Sequence, residues 1–220
     1  MTTRLIIARH GNTFTPEQTP TRVGAKTDLP LVEHARGRNI GRYLLQHGLP
    51  VDVVMSGPLQ RHLQTASLVC EAMGLDASQI QTRHDFNEID YGPDEDKTED
   101  EVMCRLGKGD LTLGKNIIEK WNQQAIVPQG WLVDVEGLKQ AWLELAQTLC
   151  TTHKDQTTLL VSSNGTMRFA PVITGDFDGF VQRHDIKVAT GGVCLFEKDE
   201  DDMHWRCTGW ALKPSKLLDC

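Results

Sequence analysis

Long hydrophobic runs are missing from this sequence. Its apolar stretches, such as residues 5–8 and 159–161, last only a few positions, far short of the roughly 20 that a helical membrane span needs. The first residues lead straight toward a strand, so neither a membrane partner nor a secretory leader is expected. Basic tracts are missing as well. With 23 Lys and Arg against 30 Asp and Glu, the formal net charge is −7, which argues against nucleic acid or an anionic bilayer as a surface partner. An anionic ligand must then be held by individual arginines. The six cysteines, at 70, 104, 150, 194, 207 and 220, include no Cys-x-x-Cys pair and no zinc-type Cys/His spacing, so no metal, redox centre or other cofactor is expected. Reduced thiols in a cytoplasmic protein are the simplest reading, with Cys70 and Cys194 as small core residues and Cys220 exposed.

What is present begins with Leu5-Ile6-Ile7-Ala8 running into Arg9-His10-Gly11-Asn12. An apolar run that breaks into a glycine turn reads as a buried strand delivering its last side chains to the carboxyl edge of a sheet, where open α/β folds place ligands. A guanidinium offers a rigid fork of donors to phosphate oxygens, and a neutral imidazole can accept a phosphoryl group. Taken alone, the same tripeptide also describes a solvated strand end. A second segment changes the balance. Ser56-Gly57-Pro58-Leu59-Gln60-Arg61-His62-Leu63-Gln64-Thr65-Ala66 follows another short apolar run, with Ser56 placed to cap a helix whose first turn carries Arg61.

Together these motifs resemble the histidine phosphatase superfamily, the group that includes the phosphoglycerate mutases. There, Arg-His-Gly-x-Thr at a strand end is followed by Ser-x-Pro-Leu-x-Arg-x-x-Gln-Thr-Ala at a helix start. The resemblance runs from about residue 4 to 90 and resumes more loosely over 157–196. It implies that His10 is the nucleophile and that Arg9, Arg61 and Asn12 bind phosphate. It also implies that Glu88, in Glu88-Ile89-Asp90-Tyr91-Gly92, is the acid that protonates the leaving group. Without the upstream motifs, the segment around Glu88 reads as a solvated acidic turn. The loop over residues 12–30 carries the Arg22 and Asp28-Leu29-Pro30-Leu31 pieces of the family pattern.

One position departs. In Ser162-Ser163-Asn164-Gly165-Thr166-Met167-Arg168 the family carries a second histidine where this chain has Ser163. Ser163 and Asn164 are therefore expected to line the phosphate site with neutral donors, at a cost of roughly 2–4 kcal/mol in transition-state stabilisation. Low turnover is expected, and Ser163→His should raise it unless another imidazole already fills the place. His184 is the candidate for that; His62, beside Arg61, and His184 are the two histidines to test, and most of the others read as surface or hydrogen-bonding residues.

The expected architecture is one α/β domain spanning 1–220. It is three-layered, with a mostly parallel sheet flanked by helices and a helical cap inserted at about 93–132. Helices are expected over 30–47, 58–73 and 135–149, a short edge strand at 80–83, and a late hairpin from 193–196 and 205–212. The function this implies is hydrolysis of a small phosphorylated substrate through a phosphohistidine, or less readily a mutase reaction. The alternative is a phosphoryl-ligand-binding or regulatory protein with little turnover. The sequence leaves the oligomeric state open.

Overall fold

A computed structural model describes residues 1–217, so the expectation for Cys220 lies outside the described residues. The chain runs β1 (Thr2–Arg9), α1 (Ala35–Gln46), β2 (Val53–Ser56), α2 (Gln60–Met73), β3 (Gln81–Thr82), α3 (Glu99–Leu106), α4 (Leu111–Gln124), α5 (Val135–Thr152), β4 (Thr157–Ser162), α6 (Asn164–Met167), α7 (Phe177–Arg183), β5 (Val193–Asp199), β6 (Arg206–Leu212) and α8 (Pro214–Leu217). Six strands form one sheet in the order β3-β2-β4-β1-β5-β6. The first four are parallel, and β5 and β6 add an antiparallel edge.

Alternation along β1 divides the molecule into layers. Leu5 and Ile7 enter one core with Met55, Leu160, Phe86 and the α5 residues Trp142, Leu145 and Leu149. Ile6 and Ala8 enter the other with Ile40, Leu44, Ala66 and Val69 of the packed pair α1 and α2. Because side chains of a strand point alternately to opposite faces, a strand covered on both sides is apolar throughout. The central strand β4 is accordingly buried at every position. The result is the expected three-layer fold with a mostly parallel sheet.

Helix starts differ from expectation in chemistry. Leu59, not Ser56, is the N-cap of α2, and the Ser56 hydroxyl donates to the Gly57 carbonyl. Pro58 lies outside the first turn. The first helix begins at Ala35, five residues past Pro30, because residues 12–34 are committed to a long loop over the sheet edge. In the segment between Glu88 and α5, Thr98 and Glu101 form a reciprocal capping box at α3, and Asp110 caps α4.

Asp94 holds this segment to the rest of the chain. It is 1% exposed, accepts Arg105 Nε and Nη2 at 2.5 Å each, and accepts Trp131 Nε1 at 2.7 Å. Asp94→Ala leaves a buried indole N–H without its acceptor and a half-buried guanidinium without its carboxylate, with only the Gln129 carbonyl still bonded to Arg105 Nη2. It should lower unfolding free energy by about 2–3 kcal/mol, readable as a lower urea midpoint at unchanged slope. Among the described residues, no helix is long and apolar enough to cross a membrane.

Candidate active site

His10 follows the last residue of β1, and three backbone contacts fix its position. Its N–H donates to the Ser162 carbonyl at 3.1 Å, Gly191 N–H donates to its carbonyl at 3.1 Å, and Gly11 N–H donates to Thr65 Oγ1 at 3.0 Å. Its Nδ1 lies 2.7 Å from the Gly11 carbonyl oxygen. A carbonyl can only accept, so Nδ1 carries the proton and the Nε2 lone pair is left bare. The residue is 6% exposed. Burial, then the charges of Arg9, His62 and Arg61, holds its pKa well below the usual histidine value, so it stays unprotonated at neutral pH.

Glu88 enters from the segment after β3. Ile89 N–H donates to Oε1 at 2.9 Å, and Gly165 N–H, in α6, donates to Oε2 at 3.4 Å. The approach requires glycine at 165, where a Cβ would stand 2.3 Å from Oε1. Burial raises the carboxyl pKa, opposed by Arg61 and Arg9, which favours a protonated acid more than an exposed glutamate would.

His10 and Glu88 line one cleft of about 870 Å³ together with Arg9, Asn12, Asn164, Arg22, Tyr91, Trp121, Arg168 and Lys187. Arg9 Nη1 donates to the Val188 carbonyl at 2.6 Å, and Val188 N–H donates to Asn164 Oδ1 at 2.7 Å, so the 188–191 turn ties the two strand ends together. Thr190 Oγ1 donates to Asn12 Oδ1 at 2.6 Å.

Two expected phosphate ligands lie one layer behind this lining. Arg61 has no exposed surface; it donates to the carbonyls of Thr27 at 2.8 Å, Gly24 at 3.2 Å and Val23 at 3.3 Å. Its charge bears on Glu88 while its N–H groups anchor the 12–30 loop. Ser163 is equally buried, with its Oγ 2.6 Å from His62 Nε2. His62 is not a surface histidine: it has no exposed area, and its ring centroid stands 5.6 Å from that of His10. His184, by contrast, stacks on Phe180 at 4.3 Å and does not line the cleft.

Sequence reasoning missed Arg168 as a site residue. It is 1% exposed, its guanidinium lies 3.7 Å over the Trp121 ring, and Nη1 donates to the Trp121 carbonyl at 2.5 Å. Burial lowers its pKa to about 10, which leaves it charged at neutral pH. Glu95 was missed too: its Oε1 accepts Gly24 N–H, Lys26 N–H and Thr27 Oγ1, shaping the loop that covers Arg61.

The comparison that decides the family covers almost the whole chain: a sequence model of the histidine phosphatase superfamily (branch 1) matches residues 5–211. The chain belongs to the histidine phosphatase superfamily. It is 32% identical over 111 residues to a 2,3-bisphosphoglycerate-dependent phosphoglycerate mutase of Methylobacterium sp. (strain 4-46), covering 47% of this chain and 50% of that protein. The match spans about half the length of the curated relatives it reaches. Among solved structures, a mycobacterial glucosyl-3-phosphoglycerate phosphatase superimposes with a TM-score of 0.71 at 16% identity, over 96% of this chain and 100% of that one. A mutant phosphoserine phosphatase from Entamoeba histolytica, in complex with phosphoserine, superimposes with a TM-score of 0.67 at 18% identity, over 94% and 95% of the two chains. These likenesses show the fold of this superfamily member.

Two buried neutral histidines make the stability of this superfamily member pH-dependent. The folded pKa values of His10 and His62 lie well below 6.5, so below about pH 6.5 the unfolded chain binds protons that the native state refuses. Stability is full above that value and falls as the pH drops toward the folded pKa values. Glu88 acts in the opposite sense, because its raised folded pKa keeps a proton that the unfolded chain releases above its ordinary value of 4.5. Urea unfolding should show stability falling from pH 7 to 5.5. His62→Gln should reduce that slope by up to about 1.4 kcal/mol per pH unit, whatever it does to absolute stability.

Proposed function

We propose that this protein is a phosphomonoester hydrolase that works through a phosphohistidine on His10, with no metal in the reaction. The observation that carries this reading is the bare Nε2 of His10, its Nδ1 proton held by the Gly11 carbonyl, in one cleft with the buried Glu88 carboxyl. Nε2 attacks phosphorus, the ester P–O bond breaks, and Glu88 gives its proton to the departing oxygen. The Glu88 carboxylate then takes a proton from water as that water attacks phosphorus. The P–N bond breaks, and inorganic phosphate leaves with both residues reset. Arg9 and Asn164 face the phosphoryl group, and Arg61 supplies positive potential from behind the lining.

Residues 93–132 act as the cap that selects the leaving group. Trp121 from α4 holds Arg168, and Glu99 from α3 holds Arg22 at 2.5 Å. Among the described residues Arg168 pairs with no carboxylate, and its buried Nε has no partner. With Lys187 in the same lining, the cleft favours phosphomonoesters that carry a second negative group, such as a carboxylate. A panel tests this. Release of inorganic phosphate from phosphoserine and 3-phosphoglycerate should exceed that from uncharged alkyl phosphates by about tenfold or more in kcat/KM, an advantage of roughly 1.4 kcal/mol. No phosphate release from any member of the panel would contradict the hydrolase reading. Equal rates across it would contradict the second-anion preference.

A further inference from the structure

We propose that Thr190 is a positioning residue for the phosphoryl group: its hydroxyl fixes the Asn12 side-chain amide so that the NH2 group, and not the carbonyl oxygen, faces the cleft of His10. This rests on that cleft being a phosphate site.

The turn that precedes β5 is stitched to the end of β1. Arg9 N–H donates to the Gly192 carbonyl at 2.9 Å, Gly191 N–H donates to the Arg9 and His10 carbonyls at 3.1 Å each, and Gly192 N–H closes the turn on the Ala189 carbonyl at 2.9 Å. Gly191 has a φ of +71°, and a Cβ there would stand 2.9 Å from Arg36 Cβ, so the turn needs glycine to take this shape. Thr190 is thereby held beside the strand end that carries His10 and Asn12.

Two carboxamides of the cleft have their oxygens taken by this turn. Thr190 Oγ1 donates to Asn12 Oδ1 at 2.6 Å, and Val188 N–H donates to Asn164 Oδ1 at 2.7 Å. A side-chain amide carries an acceptor on one side and two N–H donors on the other, so tying the oxygen turns the donors the opposite way. Neither Nδ2 has a protein partner among the described residues, and neither belongs to the buried atoms left without one. Both residues line the cleft with His10, so these N–H groups open on it. Arg9 repeats the pattern: Nη1 is tied to the Val188 carbonyl at 2.6 Å, while Nη2 has no protein partner and is not enclosed. One turn thus holds the back of three donors that face one cleft.

Orientation matters here because the wrong face of an amide repels an anion. A bound phosphate selects N–H groups over the reverse arrangement, in which Oδ1 would meet its oxygens. Asn164 is held by a backbone N–H, which no side-chain substitution removes. Asn12 is held by the Thr190 hydroxyl, whose one hydrogen bond among the described residues is to Oδ1. Valine matches threonine in shape and cannot donate, so Thr190→Val frees the amide to rotate and to present its oxygen for part of the time. The lost binding is common to ground state and transition state, which places the effect in KM more than in kcat.

The test uses the full chain, with inorganic phosphate titrated by calorimetry and 4-nitrophenyl phosphate turnover measured beside it. Thr190→Val should raise the Kd for phosphate and the KM for the ester by about 5- to 10-fold each, with kcat changed less than about threefold. Thr190→Ser, which keeps the hydroxyl, should recover most of that loss. In an Asn12→Ala background, Thr190→Val should change the Kd by less than about twofold, because the amide it orients is gone. A merely structural role for Thr190 would cost as much with Asn12 as without it, and that result would overturn the proposal. So would a Thr190→Val protein whose phosphate Kd lies within about twofold of wild type, or a Thr190→Ser protein as weak as Thr190→Val. Should Thr190→Val fail to fold, Thr190→Ala is read against Thr190→Ser in the same way. A wild type that binds no phosphate overturns the phosphate-site reading and the role of Thr190 together, whereas wild-type binding that Thr190→Val leaves untouched overturns the role of Thr190 alone.

Discussion

Replacing His10 by alanine is expected to lower kcat on 4-nitrophenyl phosphate by about 10⁴-fold or more, because what remains is substrate binding and electrostatics without a covalent route. The expectation depends on which ring nitrogen is free. The Gly11 carbonyl fixes the proton on Nδ1, and burial, then the neighbouring Arg9, His62 and Arg61, lowers the ring's pKa well below the usual histidine value, so Nε2 is unprotonated at neutral pH. The acid limb of the wild-type kcat/KM profile should accordingly lie below 6.5, where an exposed imidazole would already be losing its lone pair to a proton. Circular dichroism and a thermal melt would separate this loss from unfolding. The His10 backbone is held by Ser162 and Gly191, and that of the next residue, Gly11, by Thr65; none of these bonds uses the ring, so the alanine variant should fold.

The second large effect belongs to Glu88 and depends on the leaving group. Glu88→Gln cannot donate a carboxylic proton, so hydrolysis of an alkyl phosphate, whose alkoxide leaves poorly, should fall by about 10² to 10⁴. Nitrophenolate leaves without help, and the same variant should lose less than about tenfold on 4-nitrophenyl phosphate. Ionisation of Glu88, whose pKa burial raises, should set the alkaline limb of the wild-type profile, and that limb should vanish in the variant. Equal losses on both substrates would mean that Glu88 only shapes the pocket. That role is real in part, since Ile89 and Gly165 both donate to its oxygens and a glutamine can accept only one of those bonds.

Much of this was legible in the sequence because the informative features are local. The apolar run over residues 5–8 and its break at Gly11 specify a buried strand ending at the sheet edge, and the family resemblance named His10, Arg9, Asn12, Glu88 and Asn164, which line one cleft. The hairpin of β5 with β6 followed from alternation and an acidic turn. What failed was long-range. Nothing in the neighbourhood of Arg61 announces that the carbonyls of residues 23, 24 and 27 would take its donors, because that depends on how Glu95 folds a loop some 70 residues earlier in the chain. Local pattern set His62 apart only as the neighbour of Arg61, with nothing to say that it is buried. Its partner Ser163 lies 101 residues away, and the only sequence trace of its burial is Gly57, which in a Gly-Pro pair reads just as well as an ordinary turn. Arg168 was visible as part of a motif, but its place in the cleft emerges only once α4 brings Trp121 beneath it.

The most direct test of the mechanism is whether phosphorus becomes bound to His10. Wild-type protein mixed with a ³²P-labelled phosphomonoester and quenched in alkali, which spares a phosphoramidate bond, should retain label that acid releases, with the modified peptide containing His10 and with no label on His10→Ala. Label retained by His10→Ala would move the nucleophile to another residue and contradict the account, and a wild type that binds labelled ester reversibly and never holds phosphorus covalently would identify the protein instead as a phosphoryl-ligand binder.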